Sequence, residues 1–227
     1  MKELQKQIIQ VLAERFAPYG FVKRSGNCFT RDISKNVWQR MEFPSSYYHP
    51  GVKAIYPEIA VGYKDEFNLE RKYFDLHWPF PNYTYNTFYT MLLNIVRTDD
   101  LCWRFRKEED IIPQIDDMTQ AIVKKAIPYM DYISDRKNLI AEMESGFIYS
   151  KMESWCYRGL PIAYYLEGRK DLALWRLNYY IQKFEKELSG YMKEDENSNF
   201  TRGTRNKLQD YLEFAEKLKK VMETESR

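Results

Sequence analysis

The chain is poor in the residues that most often build metal sites, redox centres and phosphate-binding loops. Its 227 residues include three cysteines, two histidines and nine glycines. Cys28, Cys102 and Cys156 form no Cys-x-x-Cys pair, which excludes a zinc knuckle and a dithiol redox motif. His49 and His77 fall in no His-x-x-x-His pattern, and no glycine-rich loop follows a predicted strand. We therefore predict no metal site and no cofactor.

The sequence also lacks an excess of one charge and a long apolar run. Its 35 basic and 33 acidic residues give a net charge of +2. Such a balance produces no general attraction to phosphate backbones, so a nucleic acid is not the expected partner. No apolar stretch approaches the roughly 20 residues that span a bilayer, and charges interrupt the N-terminal segment as they do not in a signal peptide. We expect no membrane partner and a cytoplasmic location with reduced thiols.

What the chain does contain is a core-forming supply of apolar residues, at 44 %, with 16 % aromatics and 19 tyrosines. Leu4, Ile8, Leu12 and Phe16 recur every four residues and predict an amphipathic helix. Pro18 follows as a stop. A single chain of this length buries enough surface to fold without disulfides.

The apolar period then changes from four to two, which predicts strands. Residues 28–33 and 37–43 alternate around a short polar loop and predict a β-hairpin. Residues 59–63 predict a third strand, whose small Ala60 and Gly62 we expect beneath the first helix. "ERKYFDLHW" at 70–78 predicts a fourth strand. The basic residues of these strands are expected on a solvated outer face.

Further along, helical periodicity returns from Asn86. The secondary structure of "LCWRFRKEED" is ambiguous, but its alternation is compatible with a last strand. Two more helices are predicted over 112–128 and 134–146. Gly168 separates two more helices, residues 193–205 predict a polar linker, and a helix ends the chain. The fold class is α+β, an antiparallel β-meander covered by helices on one face and followed by an all-helical C-terminal region. Residues 1–145 form the predicted core domain, and residues 146–227 form a helical region packed on or next to it.

The order of these segments carries a resemblance. The opening Gly-Phe-x-Lys-Arg…Phe-x-Arg at residues 20–31 is followed by the "EIAVGY" strand, the "WRFR" segment and a helix ending in "AIPYM". Over about residues 1–145 this pattern resembles the bacterial domain of unknown function 4304 family, and the C-terminal helices look like an extension. The resemblance implies a bacterial, non-secreted α+β domain and assigns no catalytic residue.

Two basic or aromatic stretches are candidates for binding. Residues 18–43 interleave basic and aromatic side chains, but their spacing is that of core anchors and a solvated sheet face, which we favour over a nucleic-acid surface. Residues 77–91 hold six aromatics, more than one face of an element buries. They predict either a packed sheet-to-helix crossing or a rigid contact surface. With a second aromatic loop and a charged rim, the predicted partner-binding residues are Trp78, Phe80, Tyr83, Tyr85, Tyr47, Tyr48, Arg104 and Arg106.

Carboxylates cluster at 99–100, 108–110 and 116–117. Each cluster stands near a predicted helix start, where the helix dipole favours negative charge, so capping explains them. We predict no catalytic residue. The leading hypothesis is a non-enzymatic binding or interaction module with a protein or peptide partner, of an inhibitor or immunity type by analogy. The alternative is a small hydrolase that uses Asp or Glu from residues 99–117, with Arg104 and Arg106 as an anion clamp.

Overall fold

The computed structural model describes residues 2–49, 51–74, 81–96, 102–145, 153–195 and 198–224, with the backbone alone at residues 2, 47–49, 153–156 and 194. The chain divides into two compact units. The first comprises Met1–Lys64 and Pro79–Glu142, and the second comprises Asp65–Trp78 and Met143–Arg227. The chain passes between the units inside one helix at residues 64–65 and inside another at residues 142–143, and residues 65–78 belong to the helical unit.

Among the described residues, the first unit contains eight strands, four complete α-helices, most of a fifth and the first residue of a sixth. Its helices are α1 (Lys2–Phe16), the first residue of α2 (Lys64–Tyr73), α3 (Leu92–Val96), α4 (Ile111–Ala121), α5 (Ile127–Ile133) and most of α6 (Arg136–Ser145). Its strands are β1 (Val22–Lys23), β2 (Cys28–Asp32), β3 (Val37–Glu42), β4 (Ser45–His49), β5 (Val52–Ile55), β6 (Glu58–Tyr63), β7 (Phe88–Met91) and β8 (Trp103–Phe105).

The strands form two antiparallel sheets. The larger has five strands in the order β1-β2-β3-β6-β7, and the smaller has three in the order β4-β5-β8. The α+β prediction is thus confirmed, and so is the hairpin of residues 28–43, whose register pairs Phe29 with Met41. The smaller sheet is an addition that the sequence did not indicate, although β8 was foreseen as a last strand. Trp103 and Phe105 of β8 are buried as predicted.

One face of the larger sheet is an apolar core under helices. Leu12 and Phe16 of α1 are fully buried, and the Phe16 ring lies 5.6 Å from that of Phe43 and 6.3 Å from that of Phe29. A turn of 3₁₀ helix at Ala17–Tyr19 then ends α1, with Gly20 in the left-handed region at φ 80°. On the same face α5 is fixed by the Tyr63 hydroxyl, which donates to the Ile133 carbonyl at 2.8 Å. Burial of such large apolar side chains supplies most of the stabilisation.

The opposite face is not solvated as expected. Trp38 lies on this face with 9 % of its surface exposed, and Arg40 with 6 %. The Arg40 guanidinium donates to the carbonyl of Thr84 at 3.1 Å, so the 3₁₀ turn Asn82–Thr84 covers part of the face. The prediction of a solvated outer face is therefore wrong here, because a buried arginine can be satisfied by a carbonyl that arrives from a distant segment.

The small residues of β6 also have a different neighbour from the one predicted. Gly62 is paired with Trp38 across β3 and β6, and a Cβ added to Gly62 would lie 2.3 Å from the indole ring. The indole, rather than α1, is what packs on Gly62. Only glycine permits this approach.

Three local predictions are wrong. Residues 64–73 form helix α2, not a strand, and residues 75–78 lie outside the described residues. Residues 88–91 form β7, which pairs with β6, and the predicted helix begins only at Leu92. Phe88 is buried against the sheet core, so tertiary pairing overrides a local helical period. Lastly, Pro128 does not end the helix, because α4 continues through a π-helical turn at Ile122–Ala126 into α5, where the proline takes the first turn.

The second unit is helical. It contains nearly all of α2, the end of α6, and α7 (Glu153–Leu166), α8 (Lys170–Glu194) and α9 (Asn199–Thr224). Gly168, at φ 75°, ends α7 as predicted. The rings of Tyr157, Tyr180, Phe184 and Tyr211 form its aromatic centre, with centroids 5.3–6.2 Å apart. The predicted linker is shorter than expected, because α9 already begins at Asn199.

Candidate functional site

The predicted aromatic surface is only partly described. Trp78 and Phe80 lie outside the described residues. Tyr83 is half-buried in the turn Asn82–Thr84, with its hydroxyl 3.3 Å from the Ser25 hydroxyl and the Arg24 guanidinium 5.8 Å from its ring centre. Tyr83 therefore lies against the β1–β2 turn. The two stretches singled out in the sequence, one basic and one aromatic, meet there.

Tyr85 is a core residue rather than a contact residue. It is 6 % exposed, and its backbone N–H closes the 3₁₀ turn by donating to the Asn82 carbonyl at 3.0 Å. A partner cannot reach this ring in the folded chain, and we remove it from the predicted surface.

The remaining predicted residues lie on the smaller sheet. Tyr47 and Tyr48 belong to the edge strand β4, where the sequence predicted a loop, and Tyr47 pairs with Lys53 of β5. Arg104 lies on β8 at the other edge and pairs with Ala54. Arg106 follows β8 and is exposed. The structure thus places Tyr47, Tyr48 and Arg104 on the smaller sheet, Arg106 directly after it, and Tyr83 beside the larger sheet.

The aspartates of the acidic cluster 108–117 that the structure describes are bonded to other groups of the same chain. Asp117 accepts a hydrogen bond from the buried Trp103 indole at 2.8 Å, and Asp116 lies 2.7 Å from Arg15 of α1. Asp110 accepts from the backbone N–H groups of Arg106 and Lys107, and these bonds lower the pKa of its carboxyl group. Asp99 and Asp100 lie outside the described residues. Capping and ion pairing account for the acids of residues 110–117.

A second pair of carboxylates was not foreseen. Glu42 and Glu58 are direct cross-strand neighbours on β3 and β6. Arg40 lies 3.3 Å from Glu42, and the Tyr89 hydroxyl is hydrogen-bonded to Glu58, whose pKa burial raises. Cys28, opposite Glu42 on β2, is buried, and burial raises its thiol pKa to about 11. At neutral pH the thiol is protonated and is a poor nucleophile. Each of these carboxylates is thus paired within the described chain.

An open groove lies between α1 and the β1–β2 turn. Its volume is about 620 Å³, and it is lined by Gln5, Lys6, Ile9, Gln10, Ala13, Lys23, Gly26 and Asn27. That volume falls within the range of known ligand sites, about 300–1,000 Å³. No sequence motif marked these residues, and the groove emerges only when α1 is docked on the sheet.

The helical period explains the groove. Ile8, Leu12 and Phe16 point into the sheet core, while Gln7 and Arg15 reach the acidic cluster through Glu108 and Asp116. The row Gln5, Ile9 and Ala13 lies on the other flank of the core stripe, because residues four apart share one side of a helix. On the strand side, Gly26 forms the turn at φ 58°.

The groove has an apolar floor and a basic rim. Ile9 is 7 % exposed, whereas Lys6 and Lys23 are exposed and form no ion pair in the described part of the chain. None of the eight lining residues carries a carboxylate; the acids of α1 are Glu3 and Glu14, and Glu14 accepts from Gln10 at 3.4 Å. The groove is therefore positive at its edges.

Gln5, one of the residues that line the groove, has a buried polar atom without a partner among the described residues. The side-chain carbonyl oxygen Oε1 of Gln5 is buried and accepts no hydrogen bond from any described residue. Buried acceptors are rarely left unsatisfied, since each one costs about 1–3 kcal/mol.

The second unit has an exposed aromatic pair that the sequence analysis also missed. Trp175 and Tyr179 on α8 are 55 % and 43 % exposed, and their rings stack at 5.8 Å. They follow the i, i+4 spacing of one helix side, a signal that was present in the sequence. Nothing in the structure shows what covers them.

Among residues 2–49, 51–74, 81–96, 102–145, 153–195 and 198–224, no cluster of three His, Cys, Asp or Glu side chains is arranged to hold a metal ion. Within the same ranges, no helix has both the length and the apolar content to cross a membrane.

Comparisons with family models, with curated proteins and with solved structures find no match to this chain. The resemblance to the 4304 family therefore stays a prediction.

Proposed function

We propose that this chain is a non-enzymatic binding protein that holds an acidic peptide segment of a partner protein in the groove between α1 and the β1–β2 turn. The observation that carries the proposal is the groove itself, with two lysines on its rim that form no ion pair with any described residue, and no carboxylate in its lining. A protein of this kind acts by occupying its partner, as an inhibitor or immunity protein does.

The partner's charge follows from the rim. Lys6 and Lys23 flank an apolar floor formed by Ile9 and Ala13. A segment with carboxylates spaced around an apolar side chain complements both features, and complementary charge raises association rates as well as selectivity. A basic segment would meet like charges and is disfavoured.

A peptide fits better than a nucleic acid. Single-stranded nucleic acids bind where exposed aromatic rings stack with bases beside cations. The groove floor is aliphatic, and none of its eight lining residues is aromatic. The balanced net charge of +2 also provides no extended phosphate-binding surface.

No observation favours the hydrolase alternative. In the described part of 99–117, Asp110, Asp116 and Asp117 are each bonded to a group of the same chain. Arg104 lies on β8 and is not among the residues that line the groove. The geometry gives these residues structural roles.

The test is selection of a random peptide library displayed on phage against the full chain at low salt. We expect enriched peptides with at least two acidic residues, and a loss of affinity of at least 30-fold for the double variant Lys6→Glu/Lys23→Glu, because the rim then repels the peptide. The matched control is Lys35→Glu, an exposed lysine in the β2–β3 turn outside the groove, which should bind within about twofold of the wild type.

Three results would each overturn the proposal: no enriched peptide, an enriched set without acidic residues, or equal binding by the double variant. A competition arm with a thymidine oligonucleotide separates the other class of anionic partner. Displacement of the peptide by the oligonucleotide at lower concentration than by free peptide would assign the groove to nucleic acid instead.

A further inference from the structure

β1 is an open edge of the five-stranded sheet. It pairs with β2 on one side and has no strand on the other among the described residues. Both of its residues are exposed, Val22 to 55 %. An open edge presents unpaired backbone groups to which another chain can add as a strand.

The register shows which backbone groups face outward. The Arg24 N–H donates to the Cys28 carbonyl at 2.8 Å, so that pair is of the hydrogen-bonded kind. Hydrogen-bonded and non-hydrogen-bonded pairs alternate along an antiparallel ladder. Lys23, which pairs with Phe29, is therefore of the other kind. Its N–H and C=O point away from β2, toward the open edge.

Lys23 also lines the groove, so the open backbone and the basic rim coincide at one residue. Building on the proposed function, we infer that the acidic segment binds in an extended conformation, as a sixth strand paired with β1. In this pairing, the C=O of one residue of the segment accepts a hydrogen bond from the Lys23 N–H, and the N–H of the same residue donates one to the Lys23 C=O.

The pairing also determines which side chains of the segment matter. Successive side chains of a strand point to opposite faces of the sheet. Every second residue therefore lies on the α1 side, over Ile9 and Ala13 and within reach of Lys6. The segment should therefore carry an apolar residue over Ile9 and Ala13, with a carboxylate two positions before it and another two positions after it.

A short edge with an exposed lysine is also a device that prevents unintended strand addition. The two roles are compatible, because an acidic strand neutralises Lys23 whereas a neutral or basic strand leaves it unpaired. β1 thus admits one class of partner and excludes the rest.

The experiment uses the full chain and the tightest acidic peptide from the phage selection. Amide hydrogen exchange of Lys23, followed by NMR, should slow at least tenfold in the complex, since the N–H becomes bonded. Lys23→Pro removes the charge and the outward N–H, while Lys23→Ala removes the charge alone. Proline is tolerated at an edge position whose N–H faces solvent. We expect Lys23→Pro to bind about two- to tenfold more weakly than Lys23→Ala.

A chemical change in the peptide tests the same inference of strand addition. Replacing one backbone amide with an ester at the residue opposite Lys23 removes the N–H that would donate to the Lys23 carbonyl. This replacement should weaken binding by a similar factor, and the same replacement one residue along should have less effect, because that N–H faces away from the sheet.

The outcomes separate the two proposals. Unchanged Lys23 exchange together with equal binding by the proline and alanine variants would overturn strand addition, and the groove would still bind acidic peptides. Failure of the wild-type chain to bind any acidic peptide would overturn both. A fold check by circular dichroism accompanies Lys23→Pro, and if that variant unfolds, the exchange measurement and the ester probe on the wild-type chain decide.

Discussion

The acidic cluster 108–117 and the groove beside α1 lie in the same unit, on either side of one helix, yet their polar groups differ in how they are satisfied. In the cluster, Asp110, Asp116 and Asp117 each bond to a neighbour within the chain. In the groove, Lys6 and Lys23 form no ion pair with described residues and the Gln5 carbonyl has no described partner. The cluster stabilises the fold, and the groove is open to a partner.

The difference teaches how to rank charged stretches. A run of like charges is easily noticed in a sequence. In this chain, however, the acidic side chains are bonded to backbone N–H groups, to an indole and to an arginine of the same chain. Two lysines 17 positions apart are not noticed in this way, although the fold places them on one rim. Substitutions in the cluster should therefore reduce stability, and substitutions in the groove should reduce binding alone.

The largest stability loss is expected for Asp117→Ala. The Trp103 indole N–H, on a side chain only 3 % exposed, would lose its acceptor, and an unsatisfied buried donor costs about 1–3 kcal/mol in the free energy of unfolding. Urea denaturation measures the loss. Asp117→Asn, which keeps an acceptor oxygen, should recover most of it; an equally large loss in Asp117→Asn would show that the bond to Trp103 is not the cause.

A smaller loss, about 1 kcal/mol at neutral pH, is expected for Asp110→Ala, which removes the acceptor for two backbone N–H groups. These bonds hold the pKa of Asp110 below its unfolded value. Its contribution is therefore present above about pH 4 and is lost as the pH falls through the lower folded pKa. The gap between wild type and variant should narrow below about pH 4. A gap that stays constant from pH 7 to pH 2 would contradict this assignment.

The smallest effect on stability is expected for Lys6→Glu/Lys23→Glu. Both side chains are exposed and unpaired in the described chain, so the free energy of unfolding should change by less than about 0.5 kcal/mol. Thermal and urea denaturation measure it. A loss above about 1 kcal/mol in the free energy of unfolding would mean that the groove lysines stabilise the fold. The distinction drawn between the two regions would then be wrong.

Several elements of both units were predictable from local pattern. The four-residue period of α1, the alternation in residues 28–43 and the turn at Gly168 each report a single physical preference with no competitor. β7 was not predictable, because Phe88 and Leu92 fit a helical stripe as well as a strand, and only the pairing of Val61 with Phe88 decides. The close contact of Trp38 with Gly62 likewise requires the β3–β6 register.

The candidate site was less accessible than the fold. Tyr83 was predicted as a contact residue and does lie against the β1–β2 turn next to the groove, but Tyr85, two positions on, is buried. The alternation of side chains in the sequence does not reveal which aromatic residue of a dense cluster will be buried in the core. The groove forms only where α1 meets the β1–β2 turn, and the outward direction of the Lys23 backbone groups follows from the sheet register, so neither is visible in the sequence.

The central claim is that the partner's acidic segment occupies the α1–β1 groove, and backbone NMR of the full chain during titration with a selected acidic peptide tests it most directly. We predict that the largest shifts occur at Gln5, Lys6, Lys23 and Asn27, with little change at Asp110 and Asp117. Shifts concentrated instead at Arg104 and Arg106 on the smaller sheet, or at Trp175 and Tyr179 in the second unit, would contradict the account.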